Sequence, residues 1–327
     1  DVVANWISIA DASIEGVGLR GTLSYFDQAG LPVIAEPIVI PDGGRLDLPG
    51  HVGLTGGAVA DAIGTAEFVP ARVAGRELPY YMTVTRYFYD CGGSFCNNFR
   101  SAFNIPTRPA AQSPVMGGIA TTNGEISIVE LSNVSDETLA TSFGVFNIAG
   151  QSLGTVQAAI PQRGAQHYIM NRVGQQGFLA AGEVGSATVQ APTRGLGAAR
   201  SMFYKLDSLG RLEYGYSAAL RGALRGAQST QFNTFINHIN TVELFNASAV
   251  NRSVEVQFVD FQGMPIESRQ LVLPGLGGVR FDALSLPANT LGTVRVLGNE
   301  LDLAVRNYTF RKDDYVLPFA GATEVQF

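Results

Sequence analysis

The residues DQAGLPVIAEPIVIP at positions 27–41 belong to a pattern that the chain repeats twice more. The pattern recurs as NIAGQSLGTVQAAIP at 147–161 and as DFQGMPIESRQLVLP at 260–274. Its glycine and its last proline both shift by 120 residues to the second copy (30 to 150, 41 to 161) and by 233 to the third (30 to 263, 41 to 274). A period of about 110 residues is the size of a domain rather than of a solenoid unit. The sequence therefore predicts three related domains.

The 327 residues divide accordingly into predicted domains at 1–110, 111–226 and 227–327. Each segment is long enough to bury a core of its own. Between them lie residues 105–118, which include three prolines, and residues 222–231, which are rich in Gly, Ala and Ser. Both compositions are typical of linkers. The expected organisation is three units on short linkers.

Short runs of alternating apolar and polar residues dominate each copy. Residues 17–26 are an example, and such alternation is typical of a strand with one buried face. The break at 41–44, Pro-Asp-Gly-Gly, has the composition of a turn. About seven such runs in each copy predict an antiparallel β-sandwich of immunoglobulin-like type, an all-β fold. The likeness is one of architecture only, because the Cys…Trp…Cys pattern of antibody domains is missing. One helix-like patch is expected at 57–63.

Two asparagines follow the first strand of the later copies. Asn133 and Asn246 lie 120 and 233 residues after Ser13, so the three are expected at one repeat position. Both asparagines also begin an Asn-x-Ser pattern, which is an acceptor for glycosylation. Asn and Ser at this place are explained by turn geometry alone.

Charged residues are sparse, at 15% of the chain against about 25% in ordinary domains, and Lys205 and Lys312 are the only lysines. Such a composition fits a surface that faces other protein, and equally an extracellular protein with an uncharged polar surface. The net charge of −6 argues against a nucleic-acid partner, whose phosphates require a basic face. No run of 18 apolar residues is present, so no membrane-spanning helix is expected.

The two cysteines, Cys91 and Cys96, flank a Gly-Gly pair. This spacing predicts a tight loop closed by a disulfide, which indicates an extracellular, cell-surface or periplasmic location. The alternative is half of a thiolate metal site, which would need two more ligands. The histidines, His51, His167 and His238, lie at non-equivalent positions of the three copies. No metal or cofactor site is therefore predicted.

One motif suggests catalysis. Residues 150–154, Gly-Gln-Ser-Leu-Gly, match the nucleophile elbow of α/β-hydrolases, with Ser152 as nucleophile. That elbow requires a strand before it and a helix after it, whereas the same slot in the other copies lacks serine and is predicted to be a hairpin turn. His167 and Asp207 could complete a triad, although nothing in their spacing favours it. We expect no enzyme, and a Ser152 hydrolase is a distant alternative.

The densest aromatic run lies at residues 80–89. Alternate positions of a strand share a face, so Tyr81, Tyr87 and Tyr89 are expected on one side. Exposed, that row would bind carbohydrate or protein; buried, it would belong to a core or to a contact between domains.

The last residues, 319–327, are extended in character and weakly charged, with Phe319, Val325 and Phe327 as apolar positions. Edge strands are usually protected by lysine, proline or charge, and this chain has few lysines. An unprotected edge and a strand-like tail favour strand addition between copies. The expected function is that of a secreted structural protein that assembles with itself into a filament, sheath or surface layer. The alternative is a binding module for carbohydrate or another surface polymer.

Overall fold

The structure is a computed structural model of the chain. We call residues 1–110, 111–226 and 227–327 the first, second and third repeats. The all-β prediction is confirmed: the described part of the chain consists mainly of strands, with two 3₁₀ turns at Thr122–Gly124 and Phe235–Asn237. The helix-like patch expected at 57–63 lies outside the described residues, apart from its last residue. The structure describes residues 2–50, 63–92, 95–106, 115–174, 176–190, 196–220, 228–298, 303–311 and 320–324.

Twenty-five strands are described. Those of the first repeat are β1 (Val2–Asp11), β2 (Leu19–Asp27), β3 (Pro32–Ile40), β4 (Arg45–Pro49), β5 (Gly64–Pro70), β6 (Arg72–Val73), β7 (Arg76–Glu77), β8 (Tyr80–Gly92) and β9 (Phe95–Pro106). Those of the second are β10 (Val115–Ala120), β11 (Glu125–Asn133), β12 (Leu139–Asn147), β13 (Ser152–Ile160), β14 (Ala165–Ile169), β15 (Val184–Gln190), β16 (Leu196–Leu206) and β17 (Leu212–Ala219). Those of the third are β18 (Gln228–Asn233), β19 (His238–Asn246), β20 (Arg252–Asp260), β21 (Pro265–Leu273), β22 (Gly278–Asp282), β23 (Leu291–Leu297), β24 (Leu303–Arg311) and β25 (Ala320–Glu324).

The strands form antiparallel sheets whose order recurs from repeat to repeat. The second repeat has the sheets β10-β15-β12-β13 and β14-β11-β16-β17, and the third has β18-β23-β20-β21 and β22-β19-β24-β25. The first repeat has β3-β2-β5 and β4-β1-β8-β9, together with the short pair β6-β7. Among its described residues the first repeat has no counterpart of β10 and β18.

Each repeat has its own hydrophobic core, to which both of its sheets contribute. In the second repeat Val129 and Leu131 of β11 pack in one cluster with Phe143 and Val145 of β12, and all four are fully buried. The equivalent clusters of the other repeats are likewise drawn from both sheets. The buried residues of β12 alternate with more exposed ones along the strand, as the sequence pattern predicts. The arrangement is that of a β-sandwich.

The turn after the first core strand corrects one predicted equivalence. The amide of Ser135 donates to Asn133 Oδ1 at 2.8 Å, and the amide of Ser13 donates to Asp11 Oδ1 at 2.9 Å. The third repeat has the same bond, from Ser248 to Asn246. Asp11, rather than Ser13, is therefore the counterpart of Asn133 and Asn246, because the first repeat has two more residues between this turn and residue 27. The buried side chains of Asn133 and Asn246 are held within the turn, as turn geometry requires.

The predicted linkers are longer than the real connections. Residues 115–118 belong to β10 and residues 228–231 to β18, each paired in the sheet of its own repeat. The sequence pattern does not predict β10, because all six residues of this strand are buried. Val115 faces the core of the second repeat, whereas Met116 contacts the third repeat, so no apolar and polar alternation arises.

Candidate assembly surfaces

The repeated stretch supplies the contacts between neighbouring repeats. We call residues 27–30, 147–150 and 260–263 the hairpin turns, and residues 41–44, 161–164 and 274–277 the proline turns. The hairpin turn of the first repeat contacts the proline turn of the second, and the hairpin turn of the second contacts the proline turn of the third. At the edge of the first contact, the amide of Ala165 donates to the carbonyl of Gln28 at 3.4 Å. At the second, the amide of Gly278 donates to the carbonyl of Ile148 at 2.9 Å.

At two positions of the hairpin turns, glycine is required both by the backbone conformation and by the lack of space for a Cβ. Gly30 and Gly150 have φ of 80° and 81°, in the left-handed region. A Cβ on Gly30 would overlap the carbonyl oxygen of Gln162, and one on Gly150 would overlap that of Gly275. The same close backbone approach therefore occurs in both contacts between neighbouring repeats, which we call the joints.

A hydroxyl group strengthens each joint. Thr65 Oγ1 donates to the carbonyl of Arg163 at 2.6 Å, and Ser186 Oγ donates to the carbonyl of Leu276 at 3.4 Å. The two hydroxyls are equivalent, since each residue pairs with the phenylalanine that precedes the hairpin turn. Arg163 and Leu276 are also equivalent, and both have positive φ. The hydrogen bonds of the joint are thus repeated along with its backbone contact.

Aromatic packing forms the second part of each joint. Phe103 of the first repeat packs edge-on against Tyr204 of the second, with ring centroids 6.0 Å apart. Tyr216 of the second repeat packs in the same way against Tyr308 of the third, at 5.3 Å. Phe103 and Tyr216 are equivalent residues of β9 and β17. In each joint one repeat therefore covers the outward face of the next repeat's sheet.

A row of three outward positions on that face differs between repeats. In the second and third repeats the row contains acidic and basic residues and lies within the joint, whereas in the first repeat it is neutral or acidic and its Asp47 is about half exposed. The rows, read across three paired strands, are Ser8, Asp47 and Thr83; Glu130, His167 and Arg200; and Glu243, Arg280 and Arg306.

Glu130 is the centre of the row in the second repeat. Its Oε2 lies 2.8 Å from His167 Nε2, and its Oε1 lies 3.3 Å from Arg200 Nε. Burial alone would raise the pKa of Glu130, but the charge of Arg200 and the hydrogen bond from His167 lower it to about 2. The carboxylate is therefore stabilised as an anion in the folded protein.

This lowered pKa predicts an acid-sensitive contribution to stability. Because the pKa falls from 4.5 to about 2, the stabilisation is full above pH 4.5 and is lost as the pH falls towards 2. The shift corresponds to about 3 kcal/mol at most. We expect Glu130→Gln to remove this part of the pH dependence, measured as the free energy of unfolding in urea at neutral and acidic pH. Identical pH dependence in wild type and variant would contradict the assignment.

The joint between the second and third repeats contains a buried polar network. Glu125 accepts hydrogen bonds from the hydroxyls of Tyr214 and Tyr216, at 3.1 and 3.2 Å. Burial raises its pKa, although the charge of Arg280 in the third repeat opposes that rise. Arg280 Nη1 also lies 3.2 Å from Oε1 of the fully buried Glu243. Charged groups of two repeats are thus buried in one joint.

One half of the joint is left open at each end of the array. The proline turn at 41–44 and the hairpin turn at 260–263 have no neighbouring repeat within the described residues, and a Cβ on Gly43 or Gly263 would have no atom within 4 Å. Apolar side chains are exposed beside both turns. Phe261 is 78% exposed at one end, and Ile14 is 99% exposed at the other.

The predicted tyrosine row lies on the outward face of the first repeat, which is the open counterpart of the faces buried in the joints. Tyr81 is exposed, and Tyr87 and Tyr89 stack with ring centroids 6.4 Å apart. The backbones of Cys91 and Cys96 lie near the ends of β8 and β9, where the two strands form a hairpin. Their side chains lie outside the described part, so the disulfide stays a prediction.

The structure describes part of the predicted assembly tail. Residues 320–324 form β25, which pairs with β24 in its own sheet rather than projecting from the fold; Phe319, Val325 and Phe327 lie outside the described residues.

Ser152 begins β13 after a hairpin turn, so the helix that a nucleophile elbow requires does not follow it. His167 is engaged with Glu130.

Searches against protein families, curated proteins and solved structures find no match for the chain. Among the described residues, no group of three or more His, Cys, Asp or Glu side chains is placed to hold a metal ion. No helix in the same residues is long and apolar enough to span a membrane. The repeating joint is the most distinctive feature of the described structure.

Proposed function

We propose that this protein is a secreted, non-enzymatic structural subunit that assembles with copies of itself into a filament, sheath or surface layer. Its three repeats would be tandem immunoglobulin-like domains. The observation that carries the proposal is that one type of joint is used twice within the chain. A joint with two different halves is heterologous, and such contacts generate open arrays unless the rotation closes a ring.

Composition supports the same proposal. Only 15% of the residues are charged, and two are lysines, so there is little like-charge repulsion to keep copies apart. Both ends of the array also carry exposed apolar side chains, Ile14 and Phe261, which a contact between copies would bury.

The location outside the cytoplasm rests on the predicted disulfide between Cys91 and Cys96. Mass spectrometry after alkylation under native and reducing conditions tests it. We expect both thiols to react only after reduction, since a structural disulfide is resistant to alkylation. Two reactive thiols in the native protein would contradict the disulfide.

Carbohydrate or surface-polymer binding is the alternative function. It is favoured by the partly exposed rings of Tyr87, Tyr89 and Phe99, which contact one another on the open face of the first repeat. Saturable glycan binding by the wild type that is lost in Tyr87→Ala, without any self-assembly, would favour this function over the structural one.

The test of self-assembly is a concentration series of the purified chain, followed by sedimentation velocity and negative-stain electron microscopy. We expect the mean mass to rise with concentration and filaments or sheets to form. A single species with the mass of one chain at every concentration would contradict the proposed function.

A further inference from the structure

The open hairpin turn of the third repeat has the geometry of the two that are used. Gly263 has φ of 84°, close to the 80° and 81° of Gly30 and Gly150. Its amide donates to the carbonyl of Asp260 at 3.0 Å, as the corresponding amides do in the other two turns. The half of the joint that inserts is therefore preformed at this end.

The open proline turn of the first repeat has the geometry of the two that receive a hairpin turn. The amide of Gly44 donates to the carbonyl of Pro41 at 2.8 Å, and Gly164 makes the same bond to Pro161 at 3.0 Å. Asp42 holds the position whose carbonyl approaches the hairpin-turn glycine in the other joints. The receiving half of the joint, the proline turn, is therefore preformed as well.

The hydrogen-bonding groups of the joint are also present at both ends. Thr293 pairs with Val259, so it is the counterpart of the hydroxyl residues Thr65 and Ser186. Its acceptor would be the carbonyl of Gly43, the residue with positive φ in the first proline turn. The carbonyl of Phe261 and the amide of Arg45 complete the set.

Charge is complementary across the same two ends. In the joint between the second and third repeats, Glu125 lies near Arg280, with opposite charges. At the open ends the counterpart of Arg280 is the acidic Asp47, which lies on the receiving face. Arg295 likewise occupies the position of Glu67 and is exposed, as is Asp42 in the receiving turn.

We infer that the partner of each open end is a second copy of this chain: the hairpin turn at 260–263 binds the proline turn at 41–44 of the next copy, in the manner of the two internal joints. This inference rests on the proposed function, self-assembly, and specifies its contact. Because the halves lie at opposite ends of the chain, every added copy presents a new open half. The product is a polar, head-to-tail array.

The test is Gly263→Ala, with Gly210→Ala as the matched control. Gly210 has φ of 75°, its turn is closed by the same bonds to Asp207, and a Cβ on it would have no atom within 4 Å. Both variants carry the same conformational strain, but only the first would place a Cβ against the Asp42 carbonyl of the next copy. We expect Gly263→Ala to weaken association by about 100-fold or more, and Gly210→Ala to assemble as the wild type does.

A mixing experiment tests the polarity. Gly263→Ala retains an intact proline turn, so it should cap wild-type ends, and small amounts should shorten wild-type filaments in electron micrographs. If the wild type assembles, Gly263→Ala also assembles, and the variant does not shorten wild-type filaments, then the inferred contact is wrong and the proposed function still stands. A variant that fails to assemble and does not cap would overturn the pairing with the proline turn. A wild type that never assembles would overturn the proposed function itself.

Discussion

Gly30→Ala is expected to destabilise the chain by more than about 4 kcal/mol, whereas Gly263→Ala should cost only about 1–2 kcal/mol. The two glycines share a positive φ, so the conformational strain is common to both. Only at Gly30 would the new Cβ overlap a backbone carbonyl, that of Gln162, which cannot move without opening the joint. The measurement is the free energy of unfolding of both variants under conditions where the chain is monomeric.

Hydrogen exchange adds a local measure of the same effect. In Gly30→Ala, the amide of Ala165 should lose protection because its acceptor is the carbonyl of Gln28 across the joint. Gly263→Ala should leave it unchanged. Equal destabilisation in the two variants would mean that the contact between hairpin turn and proline turn contributes nothing to stability.

Glu243→Gln is expected to cost about 3–5 kcal/mol, the second largest effect. Glu243 is fully buried, lies 3.2 Å from Arg280 and pairs with Arg306 across adjacent strands. Removing its charge leaves two guanidinium groups close together in the joint with no carboxylate between them. Less attraction then offsets their desolvation, because Glu125 remains near Arg280 but Glu243 supplies the larger share. Urea unfolding at neutral pH measures the loss.

Glu267→Gln is the control for Glu243→Gln. Glu267 pairs with Arg269 on the surface of the same repeat, where both side chains are partly exposed. Water screens that pair, so its loss should cost less than about 1 kcal/mol. Similar costs for the two substitutions would show that water reaches Glu243, and that the joint between the second and third repeats is open in solution.

The sequence predicts the strands and sheets well because alternation reports a half-buried strand directly. It predicts β12 and the shared face of Tyr87 and Tyr89 for this reason. It misses β10, which is buried on both faces and carries no alternation. It also misplaces the counterpart of Asn133, because a length difference of two residues in a loop cannot be located from composition.

The joints could not be predicted from the sequence, although their residues belong to the repeated pattern. A glycine and a proline repeated three times are explained by turn chemistry alone, which accounts for the φ of Gly30 but not for its neighbour Gln162. Glu130 and Arg306, as charged residues, are expected at a solvated surface. They are buried because another repeat covers them, and local sequence does not report contacts between residues that are far apart in the chain.

Cryo-electron microscopy of the assembled wild-type chain would show whether one type of joint connects repeats both within and between copies. We predict a filament of sandwiches in which the step from the third repeat to the next copy's first repeat matches the two internal steps, with residues 260–263 in contact with residues 41–44. Copies that meet side by side, or through residues 319–327, would contradict it.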